Sequence, residues 1–176
     1  MHLPRIGLIT LVFAGFALGA GRSQAVSIDD IITLMQAGSL QEALLSTDGY
    51  LQKHPGDAQA RFLKGIILTE QDQIQDAIEA FAALSADYPE LPEPYNNLAV
   101  LHAATGDYVK ARDALLMAIN THPSYATAHE NLGDIYAKMA GLAYHRALQL
   151  DRANASAKAK LALMRDLISG SEPPIE

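Results

Sequence analysis

Between Pro92 and Tyr125 the chain reads PEPYNNLAVLHAATGDYVKARDALLMAINTHPSY, 34 residues that form two helices joined by a short turn. Tyr95, Leu98, Ala99 and His102 recur at helical spacing and give the first helix one packing face. Gly106-Asp107 is a breaker pair that ends it. Ala111, Leu115 and Ala118 mark the packing face of the second helix, and Pro123 stops it, because the residue before a proline is pushed out of the α region. Small residues at Ala99, Ala111 and Ala118 let two helix backbones approach closely where a larger side chain would overpack.

The pattern repeats on both sides. Pro55, Pro89 and Pro123 stand 34 apart, as do Ala43, Ala77 and Ala111, and so do Gly65, Ala99 and Gly133. Three registers with one period point to an internal repeat. The period and the residues Tyr95, Leu98, Ala99, His102, Ala111, Leu115 and Pro123 resemble the tetratricopeptide family, whose marks are W-x2-L-G-x2-Y, A-x3-F and a closing proline. The unit from Ala58 keeps Gly65, Ala77, Phe81 and Pro89 but carries Arg61 and Lys64 where apolar residues are usual; the unit from Ala126 keeps Leu132, Gly133 and Tyr136. The stretch YNNLAV together with HPSYATAHENLGDIYAKMA resembles exported proteobacterial members of that family. The resemblance implies an all-α solenoid of helical hairpins with a C-terminal capping helix. Its units are 24–57, 58–91, 92–125 and a shortened 126–152, with the capping helix over 154–168.

Residues 1–25 read as a signal peptide. Arg5 supplies the positive start, Ile6 to Gly21 is uncharged and apolar, and Ser23-Gln24-Ala25 presents small residues where a signal peptidase reads, so cleavage is expected before Val26. Fewer than about 20 apolar residues is short for a bilayer span. The chain has no cysteine, which excludes a disulfide framework and a lipid-modified cysteine and suits a periplasmic location. An inner-membrane anchor is the alternative, and it requires that the leader be retained.

The chain carries 13 Lys+Arg and 20 Asp+Glu; without the leader the balance is 11 against 20. That sign excludes the basic footprint of a nucleic-acid binder and predicts repulsion from anionic lipid.

In the first unit, Ser27-Ile28-Asp29-Asp30 supplies a cap and two acids in the first turn. Gly38 ends that helix, and Ser39-Leu40-Gln41-Glu42 reads as a capping box for the next, expected to run to Lys53. Thr47 stands where an aromatic is usual, and Gly49 weakens the helix interior. In the fourth unit only three residues separate Tyr136 from Ala140, the start of the next A-x3-F-like series through Tyr144 and Ala147. Five residues of turn are missing, which predicts fusion into one helix of about 25 residues from roughly Tyr125 to Leu150. Asn154 caps a last helix with Ala157, Leu161, Met164 and Ile168 on one face, and residues 169–176 are expected to be disordered.

No chemistry stands out. His54 and His122 precede repeat prolines; His102 and His129 occupy aromatic positions of the repeat, where a packed ring is expected. His129-Glu130-Asn131-Leu132-Gly133 begins like a zinc-peptidase motif but lacks the second histidine four residues on. There is no phosphate loop and no serine elbow. No catalytic residue, metal or cofactor is expected.

What remains is a groove. The resemblance implies that the first helix of each pair lines a concave surface, which places Phe62, Ile66, Asn96, Val100, Glu130 and Asp134 there, with Asn97 and Asn131 next round the helix. Asparagines carry donors and an acceptor for the backbone of an extended peptide. Glu130 and Asp134 would repel the carboxylate that clamp-type members of the family hold, so a neutral or basic protein segment is the expected ligand. The reading is a non-enzymatic scaffold in the cell envelope, with room for a homo-oligomer. The alternatives are a membrane-tethered assembly factor and an accessory subunit of an envelope enzyme.

Overall fold

Ser27 caps the first helix. Its hydroxyl accepts from the Asp30 amide (3.2 Å) while the Asp30 carboxylate accepts from the Ser27 amide (2.9 Å), so two orphan donors of the first turn are satisfied reciprocally. The computed structural model of the protein describes residues 26–169. They form eight α-helices: α1 (Ile28–Gln36), α2 (Leu40–Leu51), α3 (Ala58–Glu70), α4 (Ile74–Asp87), α5 (Pro92–Ala104), α6 (Tyr108–Thr121), α7 (Ala126–Leu150) and α8 (Ala155–Ser169). No strand occurs among the described residues. The leader with its cleavage point, and the tail from residue 170, lie outside them.

The turns inside the first three pairs are copies of one another. At Gly38, Asp72 and Gly106 the backbone is left-handed, with φ of 72°, 59° and 81°. The next amide in each case reaches back to close a Schellman motif: Ser39 to Leu34 O, Gln73 to Leu68 O, Asp107 to His102 O. The repeat of 34 is thus a repeat of backbone conformation as well as of side chains.

Ser39 departs from expectation. Following the left-handed Gly38 its ψ is 55°, where Ser27 has 165°, and its side chain makes no capping bond. Helix α2 ends at Leu51, two residues early, where Lys53 N turns inward to Tyr50 O.

Packing follows the three registers. Ala43, Ala77 and Ala111 are all fully buried, and Leu115 and Ala118 join Ala111 in the core between α5, α6 and α7. Thr47 is buried too, its hydroxyl donating to Ala43 O at 2.7 Å. Arg61 and Lys64, out of place for the family, are matched by acids on the neighbouring helices: Arg61 pairs with Asp87 of α4 and Lys64 with Asp48 of α2, each at 2.7 Å. Substantial helix–helix contacts among the described residues join consecutive helices, with α1 to α3 the one addition.

Helix α7 is continuous over 25 residues, as the missing turn predicts. Asn154 caps α8 by accepting from Ala157 N (2.9 Å), and α8 packs on the second half of α7 through Ala157, Leu161 and Met164. The Ile168 side chain lies outside what is described. With no second helix among the described residues folded back over its first half, α7 leaves its repeat positions open: His129 and Gly133 are exposed, and Tyr136 is 49% exposed. His129 is therefore not the packed ring expected of it, and its Nε2 meets Pro123 O at 3.0 Å instead.

Candidate functional site: a cleft between α5 and α7

Clefts open between the first helices of successive pairs. One of about 250 Å³ lies between α5 and α7, with α6 behind it. Ala99, Val100 and Ala103 form one wall, Tyr108 and Leu115 the floor, and Asn131, Asp134, Ile135 and Lys138 the other wall. A second, of about 390 Å³, lies between α3 and α5, lined by Ala58, Gln59, Phe62, Leu91, Glu93 and Pro94.

The residues expected to share one surface divide between these places. Val100 (49% exposed), Asn131 and Asp134 come together in the α5/α7 cleft, and Phe62 lines the α3/α5 cleft, set edge-on to Phe81 at 5.5 Å. Ile66 is half-buried against the core that holds Phe81, and Glu130 is exposed outside both clefts.

The asparagines behave differently from expectation. Asn96 is only 8% exposed, and its amide oxygen accepts from Asn131 Nδ2 at 2.8 Å. The pair is a polar bolt between α5 and α7, because a buried amide must find a partner. Asn97 donates to Glu93 O of its own helix at 2.9 Å, so that donor is committed. Of the three, Asn131 lines the α5/α7 cleft.

Lys138, Ile135 and Tyr108 are cleft residues that the repeat register did not select. Asp134 and Lys138 stand one helical turn apart, and that i, i+4 spacing is the signal that could have found the lysine. The rim thus carries both signs. His102, on the same helix as Val100, is half-buried, and burial holds its pKa below the usual imidazole value; the Lys110 cation adds to this and Asp107 opposes it. Among the described residues no group of three His, Cys, Asp or Glu side chains could hold a metal ion, and no helix is long and apolar enough to cross a membrane.

Comparison with solved structures returns helical solenoids. MamA aligns at 21% identity with a TM-score of 0.59, over 80% of this chain and 81% of its own. YrrB, described as a TPR protein with an unusual peptide-binding site, aligns at 17% identity and a TM-score of 0.57, over 82% and 77%. TTC0263, a thermophilic TPR protein of Thermus thermophilus, aligns at 22% and 0.57, over 80% and 79%. No curated protein matches the chain in sequence. Two family models described as tetratricopeptide repeat match residues 31–92 and 68–135. With three identical Schellman turns one period apart and the paired helices they join, these matches place the chain in the tetratricopeptide repeat family.

Proposed function

We propose that this protein is a non-enzymatic scaffold of the bacterial cell envelope that holds an extended segment of another protein in the α5/α7 cleft. The observation that carries the reading is the cleft itself: a floor of Tyr108 and Leu115 between an apolar wall of Ala99, Val100 and Ala103 and a wall that sets Asn131, Asp134 and Lys138 beside Ile135. Apolar side chains of a ligand would fill the floor, and Asn131 would bond its backbone. The rim favours a neutral or mildly basic segment, since Asp134 attracts a cation and Lys138 tempers the attraction. YrrB, a solenoid of similar fold with a peptide-binding site, makes such use of the fold reasonable. The leader read from residues 1–25 supports the envelope location.

Immobilised chain should capture a partner from envelope extract, identified by mass spectrometry, and calorimetry should then compare variants. Val100→Glu should abolish binding by filling the cleft with charge. Asp134→Lys should slow capture and alter its salt dependence, because rim charges act mainly on association. Asn97→Ala should be silent. Parent-like binding by Val100→Glu would move the site elsewhere.

A further inference from the structure

The fourth unit contains both halves of a repeat, and neither is covered as its counterparts are. In the third unit Ala99 is 1% exposed, and Ala111, Leu115 and Ala118 are completely buried. In the fourth, Gly133 is exposed, and Ala140, Tyr144 and Ala147 are only half-buried.

Phe81 shows what is missing. It is enclosed from two sides, by Gly65 of its own first helix and by Leu98 and Leu101 of the next. Tyr144, which the A-x3-F series puts in the corresponding place, has a neighbour from the following helix, with Lys160 Nζ 5.6 Å over its ring. It cannot have the first contact. Gly133 and Tyr144 lie on one continuous helix, about 16 Å apart along its axis. A seat without its helix and a helix without its seat therefore stand in the same chain.

We propose that a second copy of this chain closes the gap: the Ala140–Leu150 segment of each protomer packs into the seat on the first half of α7 of the other. The exchange is reciprocal, so it closes as a two-fold dimer, and it follows the usual route to swapping, a hinge too short to fold back. Charge agrees. Residues 137–169 hold six Lys+Arg against two Asp+Glu, whereas residues 26–136 hold five against sixteen. Contact between the basic end of one copy and the acidic body of another is attractive, while two basic ends side by side would repel. Glu172 and Glu176 follow in the undescribed tail.

The chain is free of cysteine among its described residues and throughout its sequence, which suits a cross-linking test. In the swapped dimer Gly133 of one copy lies beneath Tyr144 of the other. Gly133→Cys and Tyr144→Cys chains, prepared from the host and mixed under oxidising conditions, should give a mixed disulfide dimer; the double variant should cross-link between chains. A disulfide needs the two Cα atoms within about 7 Å, so no bond within one chain competes. Independently, the parent should sediment as a dimer at micromolar concentration. A variant with Ala-Thr-Gly-Asp-Tyr, the turn sequence of residues 104–108, inserted after Ala137 should sediment as a monomer of unchanged helix content. A parent that stays monomeric to submillimolar concentration overturns the proposal and leaves the seat to a helix of another protein. A dimer that forms no mixed disulfide overturns it equally.

Discussion

Gly65 lies directly under the ring of Phe81: a methyl group on Gly65 would stand 2.6 Å from two ring carbons. Phe81 is fully buried and pinned on its other side, so the ring has nowhere to go. Gly65→Ala should therefore cost about 1–3 kcal/mol by overpacking. Gly49, inside α2, has open space around it, and Gly49→Ala should gain about 0.5–1 kcal/mol from helix propensity. Urea denaturation of the two variants should shift the midpoint in opposite directions.

Asp72 occupies the left-handed position that glycine holds at residues 38 and 106. An aspartate tolerates φ of 59° better than most residues but still bears some strain. Asp72→Gly should raise stability by about 0.5–1 kcal/mol, after allowing for the freedom glycine adds to the unfolded chain. A lower melting temperature for this variant would mean that the turn differs from its two counterparts.

Gly141 tests the continuity of α7. A methyl there would meet Met164 and Leu161 at 3.8 and 3.9 Å, which is ordinary contact. Gly141→Ala should stabilise by about 0.5–1 kcal/mol, and Gly141→Pro should cost about 3 kcal/mol or more by breaking the helix. If residue 141 sat in a turn instead, proline would be tolerated and the circular dichroism of the two variants would agree.

Three residues between Tyr136 and Ala140, in place of eight, were enough to predict that helix, because a turn cannot be made without length. The periodic alanines were legible for a similar reason: only a small side chain fits each helix crossing. Ser39 was not, since the S-x-x-E pattern is the same whether or not ψ aims the hydroxyl at the helix. Asn96 and Asn97 were beyond the sequence as well. They are adjacent on one helix, and which of them meets α7 depends on how α5 and α7 cross. Gly65 and Gly133 share a register, yet only one has a ring above it, because that depends on whether a second helix folds back.

His102 should make stability depend on pH. Its folded pKa is lowered, chiefly by burial, so below about 6.5 the unfolded chain takes up a proton that the folded chain resists. Stability should therefore fall as pH drops through that region, and the loss should be complete once pH is below the folded pKa. Thermal melts of the parent and His102→Gln from about pH 7.5 to about 5.5 should show the parent losing ground to the variant. Parallel curves would place His102 in water.

Contacts that run from each helix to the next leave the chain with few long loops to close on the way to its native state. Proteins dominated by such local contacts fold fast, and folding can begin at any pair and spread in either direction. The same arrangement makes protection uneven: among the described residues α1 packs only on helices that follow it, so its amides should exchange with solvent sooner than those of α5, which is held from both sides. Time, for this chain, is ordered from the ends inward.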